Sequence, residues 1–260
     1  MDKSPEDLAR RFGGMDRLYG VEGGRRLRAA HICVVGIGGV GSWAAEALAR
    51  TGVGRITLID MDHVAESNVN RQIQATSDSL GMAKIDAMRQ RIASINPACM
   101  VTGIDAFVEP GNWPGILPDD VDGVIDACDQ MRAKVAMAAW ALPNQRLFIT
   151  VGAAGGKRKA EAISIADLSA CTHDPLMAEL RYQLRKHHGA AKAGKKIGLP
   201  CVYSPEPMHI PALLQDATDD APRIAAGLNC SGYGSLVTVT ATCGMAAAGW
   251  VLNKLSEGGE

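Results

Sequence analysis

The sequence predicts an α/β fold with a doubly wound, mostly parallel sheet, and three observations lead to it. Short β-rich apolar segments alternate with segments of helical apolar spacing, and a glycine-rich turn joins the first strand to the first helix. Hydrophobic residues make up 47% of the 260 residues, which is enough to bury a large core. We therefore expect helices on both faces of one sheet.

The first half of the chain supplies the elements of this sheet in regular alternation. The predicted strands are residues 31–35, 55–60, 100–104, 122–126 and 146–151, and the predicted helices are residues 42–51, 82–95 and 132–142. The second helix stops at Asn96 and Pro97 and the third at Pro143, since proline cannot continue a helix. Strands that alternate with helices favour parallel pairing.

The pattern changes after Gly156, but no linker separates a second domain. The predicted elements here are a strand at 161–166, a helix at 175–188, a mobile Gly/Ala/Lys-rich segment at 189–200 and a loop at 214–227. We expect the C-terminal strands to extend the same Rossmann-like sheet. The chain is thus predicted to be one domain, residues 1–260, with a core at about 10–155 and an extension at about 156–260.

An uncharged segment at residues 234–252 is about as long as a membrane-spanning helix. Its Thr, Ser, Gly and Ala residues keep its hydropathy low, whereas membrane insertion favours Leu, Ile and Phe. We expect a strand at 236–240 followed by a buried helix of small residues. Stable membrane insertion is not expected, although peripheral or C-terminal membrane association stays open.

The net charge and the cysteines indicate which partners and which cellular compartment suit the chain. The formal net charge is −1, so the overall charge attracts the chain neither to nucleic acid nor to an anionic membrane. The seven cysteines show no CxxC spacing, which is typical of a reduced protein rather than a disulfide scaffold. Residues 1–11 are charged and lack the apolar core of a signal peptide, so we expect a cytoplasmic location.

The turn at residues 36–41, GIGGVG, lies between a predicted strand and a predicted helix. Glycines let backbone N–H groups approach a phosphate, and a helix N-terminus favours negative charge there. Asp60 ends the next strand, where a carboxylate can bind ribose hydroxyls. The residues of this loop predicted to bind a nucleotide are Gly36, Gly38, Gly39, Gly41 and Ser42. Alone, these features fit nicotinamide, flavin and other nucleotides equally well.

Charged residues after the loop favour ATP over a dinucleotide. Arg71 and Lys84 would offset the charge that develops on pyrophosphate when ATP is split between its α- and β-phosphates. Asp129 follows the fourth strand, where its oxygens can hold Mg²⁺ together with phosphates. The other predicted nucleotide-binding residues are Asp62, Asn68, Asn70, Gln72 and Asp126.

These motifs together resemble the ubiquitin-activating-like adenylating enzymes. The resemblance rests on GIGGVGS, IDMD, SNVNRQ, GMAK and DACD, and covers residues about 10–155. It implies that Asp60 binds ribose, that Asn70, Arg71 and Lys84 contact phosphates, and that Asp129 holds Mg²⁺. It also implies a homodimer in which an N-terminal arginine reaches the partner's ATP. Arg11 and Arg17 are the candidates.

Further segments distinguish branches of this family. Sulfur-carrier adenylyltransferases normally hold a zinc with two CxxC pairs, which this chain lacks, so no structural zinc is predicted. RFGGMDRLYG at 11–20, GIGGVGSWAAEALARTG at 36–52, DPL at 174–176 and CSGYG at 230–234 instead resemble the tRNA threonylcarbamoyladenosine dehydratases. This resemblance implies ATP-dependent closure of the threonyl carboxylate of a modified adenosine in tRNA to a cyclic product.

The implied reaction also follows from the ordinary chemistry of carboxylates. A carboxylate is a poor electrophile, and adenylation gives it AMP as a leaving group. A nearby nitrogen or oxygen of the same substituent then attacks at high effective concentration. Cys230, in a glycine-containing loop near a helix start, could form a thioester or accept sulfur from a cysteine desulfurase partner, or it could be a small buried hydrophobe.

A tRNA substrate requires a basic surface, and residues 181–196 carry six Lys or Arg, two His and no acid. The predicted tRNA-binding residues are Arg181, Arg185, Lys186, Lys192, Lys195 and Lys196. They could neutralise phosphates or simply form a solvated helix face and loop. Lys157, Arg158 and Lys159 add a second basic cluster.

Arg71, Lys84, Asp129, Cys230 and Arg17 are therefore the predicted catalytic residues. Three alternatives to the tRNA dehydratase stay open. The first is an adenylyltransferase that activates the C-terminal glycine of a ubiquitin-like sulfur carrier. The second is a nicotinamide-dependent oxidoreductase, and the third is a non-catalytic nucleotide-binding scaffold.

Overall fold

The computed structural model describes residues 5–209 and 233–258, which contain one seven-stranded sheet. Its strands are β1 His31–Val35, β2 Arg55–Ile59, β3 Met100–Ile104, β4 Gly123–Asp126, β5 Leu147–Val151, β6 Ser164–Asp167 and β7 Pro200–Tyr203. Their spatial order is β3-β2-β1-β4-β5-β7-β6. All neighbours are parallel except β6 and β7, which confirms the predicted mostly parallel sheet and its C-terminal extension.

Helices connect these strands and cover both faces of the sheet. The described helices are α1 Pro5–Ala29, α2 Gly41–Arg50, α3 Lys84–Ile95, α4 Met131–Ala141, α5 Pro175–His187 and α6 Val237–Glu257. Short 3₁₀ turns lie at Glu66–Asn68, Ser77–Ser79, Ala160–Ala162 and Leu168–Ala170. Helix α1, which the sequence analysis did not identify, is kinked at Gly20, where φ is 74°.

Alternating strand residues divide the core between the two faces. Ile32 and Val34 of β1 pack in one cluster with α2, α3 and α6. Cys33 and Val35 of the same strand pack in a second cluster with α4 and α5. Successive side chains of a strand point to opposite faces, so one apolar strand serves both layers. The predicted helices on both faces are thereby confirmed.

The strand expected at residues 236–240 is wrong, because helix α6 already begins at Val237. The threonine hydroxyls of this segment are satisfied within the helix: Thr240 donates to the Val237 carbonyl at 3.2 Å and Thr242 to the Thr238 carbonyl at 2.7 Å. Val239 and Cys243 are buried in the core cluster that also contains α2. Packing against α2 therefore outweighs the β-propensity of the Val and Thr residues.

The expected buried helix of small residues is present as the rest of α6. Within residues 5–209 and 233–258, none of the helices has the length and apolar character needed to cross a membrane.

Helices α2 and α6 approach closely because Gly244 has no side chain. A Cβ built on Gly244 would overlap the carbonyl oxygen of Val40 and lie 2.9 Å from the backbone nitrogen of Ala44 and 3.0 Å from the Cβ of Trp43. Gly249, five residues further along α6, has nothing within 4 Å of such a Cβ. The two glycines thus form a matched pair, one packed against backbone and one with open space.

We predict that Gly244→Ala destabilises the protein by about 1–3 kcal/mol, because a methyl group at this position must push α2 and α6 apart. Gly249→Ala should raise stability by about 0.4–1 kcal/mol, since alanine restricts the unfolded chain and favours a helix. Urea denaturation followed by circular dichroism measures both free energies of unfolding. Equal stability of the two variants would contradict the close packing of α2 on α6.

Candidate nucleotide-binding site

The candidate site lies where the strand order of the sheet reverses. Strand β1 pairs with β2 on one side and with β4 on the other. In doubly wound sheets, ligands bind at the carboxyl ends of the strands at this switch point. The loop at 36–41 follows β1, Asp60 follows β2, and residues 127–129 follow β4. The topology therefore brings the glycine loop, Asp60 and Asp129 to one edge of the sheet.

Two glycines of the loop are required by close backbone approach. Gly36 has a φ of 84°, and a Cβ there would lie 2.9 Å from the Cα and the nitrogen of Cys128. A Cβ at Gly41 would overlap the carbonyl oxygen of Gly36. Helix α2 begins at Gly41, and no side chain caps it. The first turn of α2 thus has no side-chain cap, which favours anion binding there, although the N–H of Ser42 already donates to the Gly38 carbonyl at 3.1 Å.

Ser42 is also in this first turn. Its side chain is buried, and its Oγ has no hydrogen-bond partner among the residues that the structure describes.

Asp60 links the glycine loop to the end of β2 by hydrogen bonds. Its buried carboxylate accepts hydrogen bonds from the N–H of Ile37 at 2.6 Å and from the N–H of Asp62 at 2.8 Å. Burial raises the pKa of Asp60, and the nearby Lys84 ammonium counteracts that rise. A carboxylate has about four lone-pair positions, so the two bonds leave room for the ribose contact that the sequence predicts.

Lys84 is the first residue of α3, and its side chain is buried at the site. Its Nζ lies 2.6 Å from Oδ2 of Asp62, and its N–H donates to the carbonyl of Asp62 at 2.9 Å. The Asp62 side chain is 54% exposed. The structure thus brings together Asp60, Asp62 and Lys84, with the ammonium held beside the loop edge of the sheet.

The turn at residues 68–72 contains residues that hold the turn in place and residues that are candidate nucleotide ligands. Asn68 is buried and accepts from the N–H of Ala65 at 3.0 Å. Gln72 is buried as well and accepts from the Gln74 amide, which also donates to the Ile37 carbonyl at 2.9 Å. These contacts use the Asn68 and Gln72 side chains to hold the turn against the glycine loop.

Asn70 and Arg71 of the same turn extend over the glycine loop. Arg71 donates to the Ser67 carbonyl at 2.7 Å and to the Asn70 amide oxygen at 3.0 Å. Its Cγ lies 3.2 Å from the Cβ position of Gly39. Asn70 donates to the carbonyl of Ser235 at 3.1 Å, which ties the turn to the segment before α6. The aliphatic part of the Arg71 side chain therefore lies against the glycine loop, and Ser67 and Asn70 hold its guanidinium.

Asp126 lies beneath the site as a fully buried partner of Lys134. The Lys134 Nζ is 3.0 Å from Asp126 Oδ2 and 2.8 Å from the carbonyl of Val151, and the Thr150 hydroxyl donates to the same carboxylate oxygen at 2.6 Å. Burial alone would lower the pKa of Lys134, but the adjacent Asp126 carboxylate raises it above its ordinary value, so the ammonium stays charged. We interpret Asp126 as a support of the site rather than a nucleotide ligand.

This buried pair fixes the turn that carries Asp129. The other Asp126 oxygen, Oδ1, accepts from the N–H of Cys128 at 3.2 Å and from its thiol at 3.1 Å. Burial and the Asp126 carboxylate raise the pKa of the Cys128 thiol well above its ordinary value, which disfavours the thiolate.

Asp129 itself is exposed, and no hydrogen bond or ion pair is recorded for it in the described part of the chain. No group of three His, Cys, Asp or Glu side chains suited to a metal occurs within residues 5–209 and 233–258. A Mg²⁺ held by Asp129 would therefore share its ligands with phosphates and water, as Mg²⁺ usually does.

The two candidate N-terminal arginines differ in their surroundings. Arg11 donates to the carbonyl of Ile95 at 3.0 Å and to the Asp7 carboxylate at 2.8 Å. Ile95 ends α3, and Lys84 begins it, so the two residues are about 16–17 Å apart along the helix. Arg11 is thus far from its own nucleotide site, whereas Arg17 is exposed on α1. Cys230 and the loop predicted at 214–227 lie outside the described residues.

The basic residues after β6 form a surface on α5 and the following loop. Lys186, Lys192, Lys195 and Lys196 are exposed. The loop at 189–200, expected to be mobile, is held at its end because Asp167 accepts from the N–H groups of Ile197 at 3.0 Å and Gly198 at 2.6 Å.

The second basic cluster differs from expectation at Lys157, which is buried and donates to the His173 carbonyl at 2.9 Å. Burial lowers the pKa of Lys157. Only Arg158 and Lys159 of that cluster are exposed.

Lys134 was not identified from the sequence, although its position in the apolar pattern of α4 indicates a buried charge. Lys134 is aligned with Met137, Ala138 and Ala141 on the buried stripe of α4. A single cation on the apolar face of a helix requires a buried anion. Asp126, at the end of the preceding strand, is that anion.

Comparison with known proteins agrees with this geometry. A sequence profile described as the ThiF family matches residues 14–260. The chain is 45% identical over 252 residues to the tRNA threonylcarbamoyladenosine dehydratase of Escherichia coli K12, and the match covers 94% of this chain and 93% of that protein. The molybdopterin-synthase adenylyltransferase of E. coli K12 is similar over a shorter stretch of 118 residues, at 30% identity, covering 45% of this chain and 47% of that protein.

Comparison with solved structures shows the same similarity to the tRNA threonylcarbamoyladenosine dehydratases. The crystal structure of the E. coli tRNA N6-threonylcarbamoyladenosine dehydratase in complex with ATP has a TM-score of 0.86 and 42% identity, and the match covers 98% of this chain and 97% of that one. The same enzyme in complex with AMP has a TM-score of 0.85 and 43% identity over the same shares of the two chains. The chain therefore belongs to the ThiF family and, within it, to the branch of the tRNA threonylcarbamoyladenosine dehydratases.

Proposed function

We propose that this chain uses ATP to adenylate the threonyl carboxylate of threonylcarbamoyladenosine in tRNA and then closes it to the cyclic product. The observation that carries the proposal is the arrangement at the switch point of the sheet. A glycine loop at an uncapped helix start lies there beside Lys84 and Arg71, opposite the exposed Asp129. Family membership and the ATP and AMP complexes of the E. coli relative support ATP as the nucleotide.

Each charged group has a distinct part in the adenylation step. The first turn of α2 and the loop glycines bind phosphate oxygens, and Asp60 binds the ribose. Lys84 and Arg71 offset the negative charge that grows on the departing pyrophosphate. Mg²⁺ held by Asp129 would add charge neutralisation at the phosphates. In this proposal the cations offset the charge that increases in the transition state, and the carboxylate would hold the metal.

The bonds made and broken follow from this arrangement. A threonyl carboxylate oxygen attacks the α-phosphorus, the bond to the bridging oxygen of the β-phosphate breaks, and pyrophosphate leaves. A nitrogen or oxygen of the carbamoyl group then attacks the acyl carbon, AMP leaves with the former carboxylate oxygen, and one proton is released. The attacking atom and the acyl carbon belong to the same substituent, so high effective concentration favours closure.

Two observations favour tRNA over a sulfur-carrier protein as the substrate. The E. coli tRNA dehydratase is similar over nearly the whole chain, whereas the sulfur-carrier branch is similar over less than half of it. The exposed lysines on α5 and the following loop also suit phosphates. The same family relationship disfavours a nicotinamide oxidoreductase or a non-catalytic scaffold.

A homodimer is part of the proposal, with Arg17 of the partner subunit at each ATP. Arg17 is exposed on α1, while Arg11 is already bound to the end of α3 within its own chain. An arginine supplied from outside would add a further positive charge near the pyrophosphate.

We predict that Asp129→Asn lowers ATP–pyrophosphate exchange by about 100-fold or more, because it removes the charge that holds Mg²⁺. Its thermal stability should match that of the parent, since Asp129 is exposed. Asp119→Asn is the matched control, because Asp119 is an exposed aspartate that precedes β4 at the opposite edge of the sheet. Exchange that survives in Asp129→Asn at the parent rate would contradict the assigned role.

A second prediction separates the effect of the buried Lys134–Asp126 pair on the position of Asp129 from its effect on the stability of the protein. Lys134→Met should cost about 3–5 kcal/mol because it leaves Asp126 buried and unpaired. The double variant Lys134→Met/Asp126→Leu should regain most of that stability, since apolar pairs replace buried ion pairs well. Its exchange rate should nevertheless stay about 10- to 100-fold low, because the turn that carries Asp129 has lost its anchor. Recovery of both stability and exchange in the double variant would refute the positioning role.

A further inference from the structure

Helix α5 carries a surface groove on the basic side of the molecule. Its cavity volume is about 370 Å³, and it is lined by Ala178, Arg181, Tyr182, Arg185 and Lys186. This volume falls in the range of roughly 300–1,000 Å³ that small organic ligands occupy. The groove therefore has room for about one nucleotide, and its lining offers both cations and an aromatic ring.

Tyr182 gives the groove a feature that phosphate binding alone does not need. Its side chain is 51% exposed, and the Lys186 Nζ lies 5.3 Å from the centre of its ring. A half-exposed aromatic ring beside cations is the arrangement with which single-stranded nucleic acids are bound. The ring can take a base, and the cation can remain on its other face.

The two arginines of the groove are held in place by backbone carbonyls. Arg181 donates through Nη1 to the carbonyls of Leu168 at 2.9 Å and Cys171 at 3.0 Å. Arg185 donates through Nε to the carbonyl of Ala191 at 2.9 Å. A guanidinium has five N–H donors, so each keeps free donors in a fixed orientation. No ion pair is recorded for either arginine within the described ranges, so their charge is available to a phosphate.

Helix α5, which carries the groove, starts next to the carboxyl end of β5. Asp174 caps α5 by accepting from the N–H of Met177 at 3.1 Å, and it also accepts from the N–H of Ala153, just beyond β5, at 3.0 Å. Helix α5 therefore begins at the edge of the sheet that carries the glycine loop. Ala178 and Lys186 lie 4 and 12 residues beyond Asp174, which is roughly 6–18 Å along the helix.

We propose that this groove binds one unpaired nucleotide of the tRNA, with its base stacked on Tyr182 and its phosphate on Arg181, Arg185 and Lys186. The inference rests on the proposed function and adds the kind of RNA structure that the surface selects. A base can stack on a side chain only where its face is free, as in a loop, whereas the bases of a duplex are stacked on one another. The groove thus distinguishes an open loop from a paired stem.

The test compares two RNA probes and three variants. The probes are an RNA anticodon stem–loop and a blunt RNA duplex of equal charge. Tyr182→Ala should weaken binding of the stem–loop about fivefold to a hundredfold, the usual effect of losing one base–aromatic stack, without changing its salt dependence. Binding of the duplex should not change, and Tyr182→Phe should bind both probes as the parent does, because it keeps the ring.

The third variant, Lys192→Gln/Lys195→Gln/Lys196→Gln, should reduce the slope of log K against log salt for both probes by about 2–3, since each lost phosphate contact removes about 0.7–0.9. This variant is a control: it shows that the assay distinguishes the loss of phosphate contacts from the loss of base stacking.

The inference is overturned if the stem–loop binds Tyr182→Ala as tightly as the parent, or if Tyr182→Ala weakens both probes equally. Conversion of modified tRNA to the cyclic nucleoside by the parent protein separates this failure from failure of the proposed function. A parent that forms the cyclic nucleoside, with Tyr182→Ala binding normally, refutes the groove alone. A parent that binds neither probe refutes the groove together with the RNA substrate.

Discussion

The contact between the glycine loop after β1 and the turn after β4 determines the geometry of the whole site. Gly36 lies so close to the backbone of Cys128 that no side chain fits between them. The turn at Cys128 is in turn fixed by Asp126, which the buried Lys134 and Thr150 hold in place. The glycine loop and the exposed Asp129 thereby follow two adjacent strands, β1 and β4, at the same edge of the sheet.

The charges of the site are arranged in two layers with different roles. The lower layer, Asp126 with Lys134, is fully buried and neutral as a pair, so it positions the turn without attracting ligands. The upper layer contains Asp129, which is exposed, and Arg71, which is partly exposed. Lys84 lies between, buried but paired with the half-exposed Asp62.

Much of the fold could be predicted from the sequence, because apolar periodicity is a local signal. The strands and helices of residues 31–151 follow it, and so does the extension of the sheet by β6. Helix α1 was missed because its glycines obscure the helical pattern, and β7 because it has four residues after a Gly/Ala/Lys-rich stretch. The start of α6 was wrong because its contact with α2 through Gly244 is not visible in local propensity.

It could be predicted that the candidate residues meet at one edge of the sheet, but their hydrogen bonds within the protein could not be predicted. Asn68, Gln72 and Asp126 were predicted to contact the nucleotide, and the structure adds that they are buried and hydrogen-bonded within the protein, which local sequence could not reveal. Lys157 was expected on a basic surface, but backbone carbonyls of the loops around it enclose its ammonium. Tyr182 was not singled out from the sequence, although the predicted helix puts Arg185 and Lys186 three and four residues after it, on the same face.

Nucleoside mass spectrometry of modified tRNA tests the central claim most directly. Purified protein is incubated with ATP, Mg²⁺ and tRNA that carries threonylcarbamoyladenosine, and the nucleosides are analysed under conditions that preserve a cyclic product. The proposed chemistry predicts that the modified nucleoside loses one molecule of water, with AMP and pyrophosphate formed in equal amounts. An unchanged nucleoside, with AMP transferred instead to the C-terminus of a ubiquitin-like carrier protein, would contradict it.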